Sequence, residues 1–453
     1  MLNKLKFRKA EKKTKALLTV ILLFVGMQIS QAQYTDSTKT YVAQKFLGNL
    51  SSGDFGGAVR SFSWDLAGTL NQYWLKVIWE SVQKQNGKYM GCYNTYTDRV
   101  TDEVLIYQEC RFEQIDKQLK LVFDKENKIK SIHFVPARPT VMYEIPTYVD
   151  LSFMVETDVT IRSGKYNLQA TFTYPMNGTH FPTIVMVAGE GPCDMDVSKG
   201  PNKFFKDLAC GFAMNGIASL RFNKRTYQYP EVNDAPLTGF TPNEEIIEDA
   251  IAAVRSAKSI LAVDTTRVFL LGHGLGAHLL PLIAQTTKPK GMMLIGAPGL
   301  PYEDVVYNTQ TYINNIAGTS NLEIQDLVSL KERVDSVKLL NDSSDFAPYE
   351  LPLEMPVSYW MFLKKYNAVK TATALNLPMF FIYSGRDFQT TTADMEVWKK
   401  AMANKNNVQF KFYENLNYYL HFGDKPSTPD EYIQKKQASK VAIDEMSKFV
   451  IGK

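Results

Sequence analysis

Residues 267–278 read Arg-Val-Phe-Leu-Leu-Gly-His-Gly-Leu-Gly-Ala-His, an apolar strand that runs straight into small residues. The spacing is that of a strand-to-helix turn built to present a nucleophile. Such a turn is so sharp that the residues two before and two after its apex must be small. Gly272 and Gly276 meet that need. The apex itself is Gly274, where a hydroxyl would be needed to attack a carbonyl, and glycine offers none.

Acyl transfer also needs a carboxylate to orient a base, a histidine, and two backbone N–H groups for the developing oxyanion. Asp387, in Tyr383-Ser384-Gly385-Arg386-Asp387, follows an apolar strand and is read as the acid; the alternative is a turn aspartate beside Arg386. The loop Ala188-Gly189-Glu190-Gly191 follows another apolar strand, and the N–H groups of Glu190 and Leu275 are the candidate oxyanion donors. An inward Glu190 carboxylate would repel that oxyanion. Cys193 is the alternative nucleophile, with Ser384 a further one and His273, His278 or His421 as base; Cys193 also reads as an inert or disulfide-bonded cysteine. His273 and His278 lack an evident third ligand, and Gly189-x-Gly191 alone is no phosphate loop, so no metal and no cofactor is expected.

The elements that must hold these residues alternate from residue 151 onward. Strands are expected near Leu151–Glu156, Leu168–Tyr174, Thr183–Val187, Ile217–Phe222, Val268–Leu271, Gly291–Ile295, Met379–Tyr383 and Val408–Tyr413. Their nearly continuous apolar character suits strands buried on both faces. A helix is expected over Asn202–Met214, stopped by Asn215-Gly216. Two more are expected to open at Thr241-Pro242-Asn243-Glu244 and at Thr428-Pro429-Asp430-Glu431, each with a cap, a first-turn proline and a capping-box glutamate. Residues 299–370 interrupt the alternation with helical, polar stretches. Met355, Tyr359, Trp360, Met361 and Phe362 there either line a pocket or simply pack.

Residues 36–137 have a different pattern. Helical stretches at Val42–Leu50 and Leu70–Gln85 precede strands near Gly87–Thr97, Glu103–Phe112, Gln118–Phe123 and Ile129–Phe134, as in a small α+β domain. Pro139 and Pro146 mark a linker at 138–150, which leaves 151–453 as the larger domain.

Most of residues 36–453 resembles the exported bacterial α/β-hydrolases that carry a small cone-shaped α+β domain before the hydrolase domain. The resemblance rests on Asn49-Leu50-Ser51-Ser52-Gly53-Asp54-Phe55, a tryptophan at 74 or 79, Ile132-His133-Phe134-Val135-Pro136, and Gly200-Pro201-Asn202-Lys203. It extends to Leu220-Arg221-Phe222-Asn223-Lys224-Arg225-Thr226 and Trp398. It implies an α/β-hydrolase fold, a mostly parallel doubly wound sheet with residues 299–370 as a helical lid, and a serine carboxylic-ester or related acyl hydrolase. In this family the oxyanion loop reads His-Gly-x-Gly-Pro, and Ala188 stands at its head here. The family's histidine loop is similar to Tyr413-Glu414-Asn415-Leu416-Asn417-Tyr418-Tyr419-Leu420-His421, with Tyr418 in the histidine slot. His421 is three residues further on, and a surface position is expected for it. Lys224 and Arg225 are expected to hold the loop together.

The 453 residues carry a formal charge of +4. Lys4, Lys6, Arg8, Lys9, Lys12, Lys13 and Lys15 precede an apolar run from Ala16 to Met27 and a small-x-small site ending at Ala32. This reads as a signal peptide, residues 1–32, of an exported protein, periplasmic or secreted. Without it the charge is −2, so nucleic acid is excluded as a partner on electrostatic grounds and no membrane span is expected after cleavage. Export permits disulfides: Cys92 and Cys110 flank a hairpin turn at similar distances, and Cys193 and Cys210 either pair or stay buried thiols. With Gly274 and Tyr418 both substituted, the expectation is an α/β-hydrolase homologue without the usual activity that binds an acyl or other small molecule or serves as a scaffold. The alternative is an ester or acyl hydrolase with a non-standard nucleophile.

Overall fold

Apolar runs with no polar face form the middle of a sheet. All seven residues of β7 (Phe181–Val187) are buried, as are all five of β12 (Gly291–Ile295) and all six of β13 (Met379–Ser384). The computed structural model describes residues 37–452 apart from 101–102, 138–142, 230–231, 233–238 and 318–320. The expected signal peptide and Pro139 lie outside the described residues. The chain divides into two compact units, residues 1–140 and 141–453.

In the first unit, helices Ser37–Ser52, Phe55–Val59, Trp64–Thr69 and Gln72–Asn86 precede an antiparallel sheet. Its strands β1 (Tyr89–Val100), β2 (Glu103–Phe112), β3 (Asp116–Phe123) and β4 (Ile129–Pro136) pair in chain order. Phe46, Leu50, Leu75 and Trp79 pack on Ile106, Leu119 and Leu121. Of the two tryptophans in the second long helix, Trp79 is the core residue and Trp74 is exposed. Cys92 and Cys110 are register partners across β1 and β2, as their spacing allowed, and the structure holds both as thiols.

The second unit adds β5 (Met154–Ser163), β6 (Tyr166–Pro175), a two-residue ribbon β8 (Ser198–Lys199) and β9 (Asn202–Lys203), β10 (Ala218–Phe222), β11 (Val263–His273) and β14 (Val408–Tyr413). The large sheet runs β14-β13-β12-β11-β7-β10-β6-β5. Every pair from β14 to β10 is parallel, and only β6 is reversed against its neighbours. Alternate residues of one strand serve two cores. Val185 and Val187 face the helices Glu248–Ala257 and Leu275–Thr287, while Ile184 and Met186 face Phe204–Met214 and Lys440–Ile451. Covering both faces is what makes the strands uniformly apolar.

At Thr241 the reciprocal bonds of a cap are present, but the segment opens with a π-helical turn, Asn243–Ile247, that runs into the α-helix Glu248–Ala257. Glu244 accepts from the Thr241 N–H at 2.8 Å, and Thr241 Oγ1 accepts from the Asn243 N–H at 3.1 Å. The start at Thr428 is not a helix but a short 3₁₀ turn, Pro429–Ile433. There the Glu431 carboxylate is taken by Arg386 at 2.7 Å, Ser427 at 2.6 Å and Lys436 at 2.6 Å, and does not reach back to the cap. The last helix begins at Lys440, capped by Ser439. Residues 299–370 hold helices and no strand in their described part, with Tyr302–Ala317 and Asn321–Leu339 the longest helices and an irregular stretch at 340–347. Tyr359 and Trp360 are fully buried in the main core, so packing, not pocket lining, is their role.

Candidate active site

The site grows from the end of β11. Gly274 caps the helix Leu275–Thr287 with φ +58° and ψ −125°, a conformation that costs an ordinary residue strain. The flanking glycines are required sterically. A β-carbon on Gly272 would stand 2.6 Å from Ala277 Cα, and one on Gly276 would stand 2.6 Å from the Val187 carbonyl oxygen. At Gly274 a β-carbon would overlap the Tyr418 hydroxyl and come within 3.6 Å of Glu190 Oε2. The phenol therefore fills the place that an apex side chain would take.

Helix geometry leaves the Leu275 N–H without an in-helix partner and puts the positive end of the helix dipole at this point. The loop after β7 comes close above it. A β-carbon on Gly189 would stand 3.5 Å from the Leu275 nitrogen and 3.9 Å from the Tyr418 hydroxyl. That loop is clamped from below by Lys224, whose Nζ donates to the carbonyls of Gly189 at 2.6 Å and Gly191 at 2.8 Å and to Glu245 at 2.9 Å. Glu245 also accepts from the Gly191 N–H at 2.7 Å and from the Tyr359 hydroxyl at 2.6 Å. Beside it, the Arg225 guanidinium donates to Asp249 Oδ1 at 2.6 Å. Lys224 thus holds the loop, as expected, whereas Arg225 ties its own turn to Asp249 and Ser163 and does not reach the loop.

Asp387 sits in the turn after β13. Its carboxylate accepts from the N–H groups of Gln389 at 2.7 Å and Thr390 at 3.1 Å and from the Thr390 hydroxyl at 2.5 Å. Burial pushes it up to about 7, against the lowering effect of those hydrogen bonds. Asp387 and the Tyr418 ring flank Gly296, whose β-position would be 3.3 Å from Asp387 Oδ2 and 3.4 Å from the ring.

Along almost its whole length the chain is similar to a curated protein. Esterase EstD of Thermotoga maritima is 32% identical over 436 residues, which cover 96% of this chain and 99% of that protein. The chain belongs to the α/β-hydrolase esterase family. A family described as "Protein of unknown function (DUF3887)" matches residues 43–132. Among solved structures, Est1E from Butyrivibrio proteoclasticus matches with a TM-score of 0.43 at 13% identity, over 65% of this chain and 99% of that one. The Pyrococcus furiosus esterase Pf2001 matches with a TM-score of 0.41 at 15% identity, over 70% and 99%.

In this member of the family, Glu190, Gly274, Leu275 and Tyr418 line one cavity of about 240 Å³ together with Pro298, Tyr302, Val305, Val306, Gln389 and Thr390. Asp387 lies just behind it, bonded to Thr390. Tyr302, absent from the sequence-based candidates, opens the first helix of the 299–370 segment and lines the cavity with Glu190. Its one signal is position, just beyond the C-terminal end of β12, where open α/β sheets place ligands. Burial, reinforced by the Glu190 charge, holds the hydroxyls of Tyr302 and Tyr418 well above the ordinary phenol range, so both remain O–H donors.

The other candidates lie elsewhere. Burial pushes the Cys193 thiol up to about 11, the reverse of a reactive thiolate, and the cysteine is not part of the cavity. It makes no disulfide with Cys210, which packs against Met154 and Ala213. Ser384 is the buried last residue of β13. The His273 ring packs tilted against that of Tyr418 with centroids 4.0 Å apart, its Nε2 bonds the Tyr418 carbonyl at 2.9 Å, and burial lowers it to about 4. His278 bonds the Pro298 carbonyl through Nδ1 at 2.8 Å. His421 is not on the surface: it is 1% exposed, its loop bridges to Ala438, and its ring nitrogens have no partner among the described residues. Burial lowers it too, to about 4. Among the described residues no group of three His, Cys, Asp or Glu side chains is placed to hold a metal ion.

Proposed function

We propose that this chain binds a small acyl or other carbonyl-bearing molecule in the cavity over Leu275 and does so without the covalent serine chemistry of its family. One observation carries the reading: Gly274 stands at the apex where the nucleophile belongs, and the Tyr418 hydroxyl fills the space such a side chain would need. Loss of the nucleophile costs a serine hydrolase about 10⁶ in turnover, leaving about 10³–10⁴ over water from binding and the oxyanion hole. Asp387, in the acid position, has Thr390 in place of an imidazole to bond. The carbonyl class follows from the donors at the cavity floor, the Leu275 N–H at a helix start and the phenols of Tyr302 and Tyr418. Residues 1–32 support export to the periplasm or medium.

The test is calorimetric titration with N-butylbutanamide, a short, non-hydrolysable carbonyl ligand. Binding by the wild-type chain and its loss in Val306→Trp, which fills the cavity, is the expected result. No binding by the wild type contradicts the reading.

A second reading, ester hydrolysis by a group other than serine, is favoured by Glu190, whose carboxylate faces the vacated apex, and by the likeness to an esterase along 96% of the chain.

A further inference from the structure

The acidic residue that would harm a serine mechanism is placed to replace it. Glu190 Oε2 is 3.6 Å from where an apex β-carbon would be, and the Tyr418 hydroxyl is in that same space. The Leu275 N–H and Tyr302 adjoin them in one cavity. In a covalent mechanism a carboxylate here would oppose the negative charge forming on the substrate oxygen. Without a serine, a carboxylate beside two phenols and a helix N-terminus is a base next to a set of oxyanion donors. That pairing is the requirement for direct attack by water.

We propose that Glu190 is the general base of a non-covalent ester hydrolysis, with Tyr418 and the Leu275 N–H holding the oxyanion and Tyr302 positioning Glu190. The inference rests on the reading of this cavity as an acyl site. The Glu190 carboxylate takes a proton from water as the water oxygen bonds to the ester carbonyl carbon. The carbonyl π electrons move to its oxygen, which accepts from the Tyr418 hydroxyl and the Leu275 N–H. Collapse restores the C=O bond and breaks the bond to the alcohol oxygen, which takes the proton from Glu190. One ester and one water become one acid and one alcohol, and the carboxylate is regenerated. A cavity of about 240 Å³ with apolar walls at Val305, Val306, Leu330 and Leu353 suits a short acyl chain.

The substrate class is therefore short-chain carboxylic esters, and p-nitrophenyl butyrate is the probe. The full chain is expected to turn it over without a burst of nitrophenol. Glu190→Gln is expected to lower kcat by about 10²–10⁴-fold. Tyr418→Phe is expected to lower it by about 10²–10³-fold, as loss of one oxyanion donor does. Tyr302→Phe is expected to shift the acid limb of the pH–rate profile, which a purely structural role would not move. Melting temperatures of the variants and their affinity for N-butylbutanamide separate folding and binding from chemistry. Turnover unchanged in a folded Glu190→Gln overturns the inference. Amide binding by the wild type without butyrate-ester turnover also overturns it while leaving the acyl-site reading intact, and absence of both removes the two together.

Discussion

The hydroxyl of Tyr418 occupies the space into which a side chain on Gly274 would project. The two positions therefore constrain one another. A serine at the apex is incompatible with the tyrosine, and the tyrosine is held from behind by its carbonyl bond to His273.

Gly274→Ser alone is expected to destabilise the protein by about 1–3 kcal/mol, from strain at φ +58° and the overlap with Tyr418. Gly274→Ser with Tyr418→His removes the overlap and places an imidazole near the apex, with Asp387 on the far side of Gly296. The double variant is expected to melt higher than the single one and to gain esterase activity that a fluorophosphonate abolishes. Thermal denaturation and inhibitor-sensitive turnover check both statements.

The clamp beneath the loop is a stability device. Lys224 and Glu245 are nearly inaccessible, at 3% and 1% side-chain exposure. Lys224→Met strands a buried carboxylate and is expected to cost about 3–5 kcal/mol. Tyr359→Phe removes one donor to Glu245 and is expected to cost about 1–3 kcal/mol. Urea denaturation of the two variants gives both numbers.

Asp387 gives a pH dependence with a definite sign. Its folded carboxyl is raised to about 7, above the ordinary 3.8, so between these values the folded state holds the proton more often than the unfolded one. Its contribution to stability is full below about pH 4 and is lost as pH rises through about 7. His273 and His421, both lowered to about 4, act in the opposite direction over part of this range. The comparison is therefore with Asp387→Asn. The stability difference between wild type and variant is expected to move against the wild type from pH 4 to 7, and a flat difference contradicts the assignment.

Cys193 is expected to be slow toward iodoacetamide. With its thiol raised to about 11, only about one molecule in 10⁴ is thiolate at pH 7. Cys193→Ala is expected to leave ligand binding and any turnover unchanged, as measured by calorimetry and ester hydrolysis.

Much of the architecture was legible because burial on both faces writes itself as apolar runs. Gly291–Ile295, buried throughout, has in the structure the bounds that the sequence implies, and so does the half-exposed edge strand Val408–Tyr413. Thr428 misled because a capping signature is local, while the side chain that completes it, Glu431, is drawn to Arg386, a partner distant in sequence. His421 misled because its burial depends on a bridge to Ala438 that no periodicity announces. At the site, Gly274, Leu275, Glu190 and Tyr418 came from loops at strand ends, where motif spacing fixes position. Tyr302 did not, since it begins an inserted helix and meets Glu190 only through the tertiary fold.

The most direct test is mass spectrometry of the full wild-type chain after exposure to a fluorophosphonate. No covalent adduct is expected on the wild type under conditions that label the Gly274→Ser/Tyr418→His variant at position 274. Stoichiometric labelling of the wild type at any serine would contradict the absence of covalent serine chemistry at this site.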